Sequence, residues 1–208
     1  MKFDTTLCFD DVLLRPQLSD IKSRKEVDIS SNLGYHRFRL PIISSPMDTV
    51  TESEMSEAIA KAGGFGIVHR YNTIEEQVSI INSTDRNIGA AIGVTGDFLE
   101  RANALVEAGC FMLCIDVAHG HHHNVKTAIE SLKQDISNEI ILMAGNVATA
   151  GAFRDLEDWG ADVIRVGVGG GSICSTRIQT GHGVPTLQSV LDCAQVAKTA
   201  KIVADGGI

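Results

Sequence analysis

The sequence predicts an α/β protein, a (β/α)8 TIM barrel truncated after its seventh strand. Three observations predict it. Short apolar, β-branched runs alternate with longer segments of helical period, one strand–helix unit to about every 23 residues. The runs are almost continuously apolar, as strands covered on both faces must be. Seven of them occur, and the sequence stops at Ile208, directly after the seventh.

In chain order, strands are expected near 41–45 (PIISS), 65–68 (FGIV), 88–94, 111–116 (FMLCID), 140–144 (IILMA), 162–166 (DVIRV) and 202–205 (IVAD). Residues 1–40 precede the first unit and are expected to cross the bottom or side of the barrel as irregular structure. Thr51-Glu52-Ser53-Glu54 and Thr73-Ile74-Glu75-Glu76 both read as capping boxes that satisfy orphan N–H groups at a helix start. Gly63-Gly64 closes one helix, and Gly109 closes the helix that opens near Asp97. Leu187, Val190, Leu191, Ala194 and Ala197 recur at helical spacing and predict one apolar stripe. The whole of 1–208 reads as a single, incomplete barrel domain.

One interval breaks the rhythm. About 35 residues separate the strand ending at Val166 from the one near Ile202, and only about 14 make the helix between them. The surplus is GVGGGSICSTR, Gly167 to Arg177, followed by IQTGHGVP. Long ordered loops are usually functional, and this one leaves the C-terminal end of a barrel strand, where active sites sit.

Bulk composition narrows the partners. A formal charge of −8 argues against non-specific binding to nucleic acid. No apolar run reaches the roughly 20 residues that span a bilayer. The start, MKFDTTLCFDD, carries acids where a signal peptide has basic and then apolar residues. A cytoplasmic protein without nucleic-acid or membrane partners is therefore expected. Its five cysteines are odd in number and form no C-x-x-C pair, which predicts free thiols.

The chemistry concentrates in the long loop. Gly167, Gly169, Gly170 and Gly171 permit positive φ and let main-chain groups approach a ligand closely. Successive N–H groups make an anion nest, whereas carbonyls turned inward would ring a hard monovalent cation. Ser172 adds a hydroxyl donor, and Cys174 becomes a nucleophile if nearby N–H dipoles lower its pKa. Thr176 and Arg177 bring a hydroxyl and a fixed cation; the plainer alternative is a glycine-rich connection with a bystander thiol. Polar residues also end the other strands: Ser44 to Asp48, His69-Arg70, Asp116, Asn146 and Asp205-Gly206-Gly207. Several together at one rim argue for a ligand, with Met47 as pocket wall between Ser45 and Asp48. The histidines 119, 121, 122 and 123 lack persuasive ligand spacing and read as a loop opening a helix. Cys8, Cys110, Cys114 and Cys193 sit among apolar neighbours and are expected to be small buried hydrophobes.

The ordered series LCFDDVLLRP, PIISSPMDTVTE, GGFGIVHR, IDVAHGHH, MAGNVAT, GVGGGSICSTR and VADGGI resembles the signatures of the inosine monophosphate dehydrogenase / guanosine monophosphate reductase family, from about Leu7 to Ile208. The resemblance implies a homotetrameric barrel enzyme acting on a purine ribonucleoside monophosphate with NAD, or with NADP in a reductase. It implies that Cys174 attacks purine C2 and that Thr176 assists the second half-reaction. Ser172, Gly206 and Gly207 would bind the 5′-phosphate and Asp205 the ribose, with Ser45, Met47 and Asn146 lining the pocket. Asp116, with Gly167 and Gly169, would serve the cofactor; the carbonyls of Gly169, Gly171 and Cys174 would hold potassium. Gly170 departs from the family, which usually has proline there, and implies a floppier loop.

The short segment Asn82 to Asn87, without inserted CBS-type regulatory domains, resembles reductases and some dehydrogenases. His69-Arg70 and Asp116-Val117-Ala118-His119-Gly120 look more like dehydrogenases, and the reading favours a dehydrogenase over a reductase or an inactive nucleotide-binding fragment. The family's flap and eighth-strand phosphate loop would lie beyond Ile208, so little or no turnover is expected of these 208 residues alone.

Overall fold

The computed structural model describes residues 5–84 and 87–208. Residues 1–4 of the acidic start, and Asp85-Arg86 of the short Asn82–Asn87 segment, lie outside the described residues. A hairpin, β1 (Ser31–Leu33) and β2 (His36–Phe38), precedes the repeating units. Then come β3 (Ile43–Ser44), α1 (Ser53–Ala62), β4 (Phe65–Val68), α2 (Ile74–Asn82), β5 (Gly89–Ile92), α3 (Phe98–Glu107) and β6 (Met112–Asp116). The chain continues through α4 (His123–Asp135), β7 (Ile141–Val147), α5 (Ala150–Trp159), β8 (Val163–Val166), α6 (Thr176–Thr180), α7 (Thr186–Ala194) and β9 (Lys201–Ala204).

Strands β3 to β9 form one sheet whose spatial order equals the chain order, every neighbouring pair parallel. Sequential parallel strands with helices between them make the wall of a (β/α)8 barrel, here with seven strands. The sheet is open between β3 and β9, where a cavity of about 440 Å³ is lined by Pro41 to Ile43 on one side and Lys201 to Asp205 on the other.

Alternation along the strands sorts side chains into two cores. Ile92, Leu113, Ile115, Leu142, Ala144 and Ile164 face outward into the helix layer, which they share with Leu105, Ile129, Phe153 and Leu156. Ala91, Met112, Cys114, Met143 and Val163 face inward. The hairpin closes the bottom of this interior. Phe38 lies 4.6 Å from Phe65 between ring centroids, and Phe65 meets Phe111 edge-on at 5.1 Å. Those rings stand at the N-terminal ends of β4 and β6, so the end opposite the glycine loop is stoppered by aromatic packing.

Four expectations are corrected. Residues 1–40 are not wholly irregular, because they contain the β1–β2 hairpin, whose Leu33 and Phe38 are buried. Thr51 does not cap α1: its hydroxyl donates instead to the Ser45 carbonyl at 2.5 Å, and Glu52 stands at the cap position without capping the helix N–H groups. The stripe on α7 is out of phase, since Thr186, Ser189 and Cys193 are buried whereas Leu191 and Ala194 are exposed. Its inward face carries hydroxyls and a thiol, which a hydrophobic pattern cannot detect. Cys8 is exposed, because it begins a short 3-10 turn at the surface where its N–H meets the Asp11 carboxylate at 2.7 Å.

The expectations about the ends of α1, α2, α3 and α4 that rest on Gly63, Thr73, Gly109 and the histidine run hold. Thr73 and Glu76 form the capping box on α2, and Gly63 and Gly109 take φ of +106° and +94° at helix ends. His122 caps α4 by accepting from the Asn124 N–H, so the histidine run does open a helix. Among the described residues no group of three or more histidine, cysteine or acidic side chains could hold a metal ion, and no helix is long and apolar enough to cross a membrane.

The start of β9 hangs on one carboxylate. Glu157 of α5 accepts from the N–H groups of Lys198, Thr199 and Ala200, the last two at 2.6 and 2.7 Å. Burial alone would raise its pKa, but these three donors outweigh burial and hold it below the usual value. A depressed carboxylate contributes stability above its unfolded pKa and loses it as pH falls through the folded one. Glu157→Gln should therefore cost about 1 kcal/mol in urea unfolding at pH 7, and the difference from the parent should shrink as pH falls below about 4.3, the ordinary glutamate value.

Candidate active site

The strand alternation that builds the interior also builds its upper rim. Arg165 follows Val163 on the inner face of β8, and Asp116 follows Met112 and Cys114 on β6. Asp116 pairs in register with Gly145, and Gly145 with Arg165. A Cβ on Gly145 would lie 2.6 Å from the Arg165 Cβ, so only glycine leaves the Arg165 side chain its place. Through that gap Arg165 Nη1 reaches Asp116 Oδ1 at 2.6 Å, while Nη2 reaches Asp205 Oδ2 at 2.9 Å. Asn146 donates to the same Asp205 oxygen and, at 2.7 Å, to the Gly167 carbonyl.

The guanidinium is 8% exposed and spans β6, β8 and the end of β9. Burial disfavours its charge, yet the two carboxylates and the Cys114 sulfur beside it push its pKa above the ordinary arginine value. Each aspartate uses one oxygen on this network, and neither Asp116 Oδ2 nor Asp205 Oδ1 is engaged by Arg165. Arg165 was not singled out in the sequence. The signal was a lone charge inside VIRV, an otherwise apolar strand.

Two cavities open at this rim. One, about 380 Å³, is lined by Ser45, Met47, Asp48, Tyr71, Asp116 and Asp205, with Arg165 at its floor. The other, about 620 Å³, is lined by Gly169, Gly170, Ser172, Arg177, Thr186 and Gly207. Asp205 and Gly207 are two residues apart, so the last turn after β9 separates a carboxylate wall from a main-chain wall. Gly206 and Gly207 take φ of +69° and +68°, and a Cβ on Gly207 would fall 2.5 Å from the Gly170 carbonyl. The loop after β8 and the turn after β9 are therefore in main-chain contact. Gly167 is buried there, its N–H given to the Val147 carbonyl and its carbonyl taken by Asn146.

Cys174 stands on the same loop, half-buried, its N–H turned back to the Gly171 carbonyl at 3.1 Å. The hydroxyl and then the N–H of Thr176, aided by those of Gly169 and Arg177, hold its thiol below the ordinary cysteine range against a small opposing effect of burial. Cys110 and Cys114 behave oppositely, since burial pushes both up to about 12. The Thr176–Arg177 pair begins α6, directly after the segment that carries Ser172 and Cys174. Gly171 Cα packs about 3.5 Å from the position a Gly206 Cβ would take, which ties the thiol loop to the β9 turn.

The remaining rim is set by hydrogen bonds behind it. His69 is buried, accepts the Tyr71 N–H at Nδ1 and so donates from Nε2 to Glu52 at 3.1 Å. Arg70 donates to the Asp116 carbonyl at 3.2 Å and lies 5.3 Å from the Tyr71 ring centroid. Gln77 joins the ends of β4 and β5 by donating to the His69 and Ala91 carbonyls, and Arg101 holds it from behind.

Known proteins match nearly the whole chain. The family model described as "IMP dehydrogenase / GMP reductase domain" matches residues 6–208. An inosine-5'-monophosphate dehydrogenase of Nitrosopumilus maritimus is 30% identical over 337 residues, covering all of this chain and 71% of its own length. A GMP reductase of Mycoplasma mycoides is 35% identical over 206 residues, and the chain spans 64% of it. The crystal structure of inosine 5' monophosphate dehydrogenase from Legionella pneumophila superposes with a TM-score of 0.92 at 43% identity, over 98% of this chain and 63% of that one.

Two outcomes test the site as built. Arg165→Leu leaves Asp116 and Asp205 facing each other and should cost about 3 kcal/mol in urea unfolding. Iodoacetamide should label Cys174 with a pH midpoint below that of an ordinary thiol while Cys110 and Cys114 stay protected, and Thr176→Val should move that midpoint upward, as read by peptide mass mapping across pH.

Proposed function

The chain belongs to the IMP dehydrogenase / GMP reductase family, and from that membership we propose that it is a purine nucleotide oxidoreductase whose nucleophile is Cys174. One observation carries the proposal: a thiol held low by Thr176 sits on a loop in main-chain contact with Gly206-Gly207, the loop whose Gly169, Gly170 and Ser172 line one of the two rim cavities. A nucleoside monophosphate matches that division. Its ribose hydroxyls suit the free oxygen of Asp205, and its phosphate suits Ser172 and the glycine N–H groups.

In the preferred reaction the Cys174 sulfur bonds to C2 of inosine monophosphate. The hydride on C2 then leaves with its electron pair. A bound nicotinamide cofactor supplies the acceptor for that hydride. Water next attacks C2, the carbon–sulfur bond breaks, and xanthosine monophosphate departs as the thiol is restored. Thr176, whose hydroxyl faces the sulfur, is the residue that serves this second half. Met47, Ser45 and Asn146 would frame the base, and Asp116 offers an unengaged oxygen to the cofactor ribose. The site fits such a cofactor because Asp116 and Tyr71 line the open side of the acidic cavity.

The same reading gives potassium the carbonyls of Gly169, Gly171 and Cys174. Gly171 O accepts the Cys174 N–H, which leaves one lone pair for an ion. It also carries a cytoplasmic homotetramer, one barrel domain per subunit over 1–208, with no nucleic-acid or membrane partner.

A dehydrogenase is favoured by the 43% identity to the Legionella dehydrogenase and by His69-Arg70 and Asp116 to Gly120. The second reading, GMP reductase with NADPH and release of ammonia, is favoured by several reductases at 35% to 38% identity over about all of the chain. In a version of the chain extended through the eighth strand and flap, the absorbance of reduced nicotinamide separates them: it should rise with inosine monophosphate and NAD and stay flat with GMP and NADPH. Cys174→Ala should abolish both turnover and covalent trapping of the nucleotide while nucleotide affinity stays within about threefold; retained turnover would exclude the thiol mechanism.

A further inference from the structure

We infer that Thr186 is a further phosphate-binding residue of this site, its hydroxyl donating to the anion that Ser172 and Gly207 also face. The inference rests on the phosphate reading above and adds a residue to it. Thr186 is 2% exposed, and its Oγ1 has no hydrogen-bond partner among the described residues. A buried hydroxyl without a partner costs about 1–3 kcal/mol. Such a group is retained where a partner arrives in another state of the protein.

The surroundings say which partner. Two glycines pack against Oγ1: a Cβ built on Gly170 would overlap it, and one on Gly207 would lie 3.1 Å away. Gly170 is thus the residue that admits the hydroxyl, since any side chain at 170 would take its place. This accounts for the departure at position 170 noted in the sequence. Thr186 lines the 620 Å³ cavity together with Ser172, Gly207 and Arg177. It is also the first residue of α7, a helix of nine residues whose N-terminal cap, Pro185, makes no side-chain bond. Helix N-termini offer unsatisfied N–H groups and a positive dipole end, which favour an anion. Arg177 adds a cation, and the exposed Asp10 is the one carboxylate on the cavity wall. A tetrahedral anion entering here supplies an acceptor for Oγ1 and for the helix N–H groups together.

Thr186→Val tests this, because it keeps the shape and removes only the hydroxyl. Calorimetric titration of the whole protein with inosine monophosphate should show affinity falling about tenfold, while affinity for the nucleoside inosine, which has no phosphate, stays unchanged. The thermal midpoint without ligand should be equal or higher, since an unpartnered hydroxyl has been replaced by a methyl. Thr186→Ser should restore tight binding of inosine monophosphate. A lowered midpoint in the valine variant, or equal losses for nucleotide and nucleoside, would make the hydroxyl structural and overturn the inference. Ser172→Ala separates the two levels: if it weakens nucleotide binding and Thr186→Val does not, only Thr186 is excluded. If neither variant weakens it, the phosphate reading of this cavity falls as well.

Discussion

The upper rim of this barrel depends on a single buried guanidinium. Arg165 ties the aspartate that ends β6 to the aspartate that follows β9, across the intervening Gly145. Without that cation the two carboxylates would repel each other. With it, both stay fixed and each still offers an oxygen to the cavity. The glycine-rich loop after β8 is anchored to the same frame, because Asn146 bonds Asp205 and the Gly167 carbonyl at once. Ordering of the thiol loop is thus a consequence of charge pairing below it.

The two classes of thiol follow from the same geometry. Strand alternation sends Cys114 into the dry interior, where burial holds it protonated, and the exit from β8 carries Cys174 to the rim, where N–H and hydroxyl donors meet it. Residue type is identical and the surroundings differ by one layer. The difference in thiol acidity therefore follows from position in the barrel.

Much of this was legible in the residues. Strands as apolar as FGIV and FMLCID were found within a residue or two, because burial on both faces leaves no ambiguity of period. The glycines of the long loop were legible too, since positive φ at Gly169 and main-chain contact at Gly170 need that residue type. What escaped was polar and long-range. Arg165 depends on partners 49 and 40 residues away, which no local pattern reveals. The inward face of α7 escaped because Thr186 and Ser189 are buried hydroxyls, and the apolar residues that caught the eye, Leu191 among them, lie toward solvent. The hairpin escaped because its strands are three residues each and half polar.

The strand β3 has a consequence for how the molecule holds its ligand. It is an edge strand of two residues, paired to β4 only at Ile43 and Ser44, yet Ser45, Met47 and Asp48 follow directly from it. A seam with so few rungs opens at lower free energy than the centre of the sheet. The wall that would close on the base should accordingly open more readily than the longer ladders of β6 to β8. Ligand binding would then register first as slowed amide exchange along this seam, ahead of any change in global unfolding.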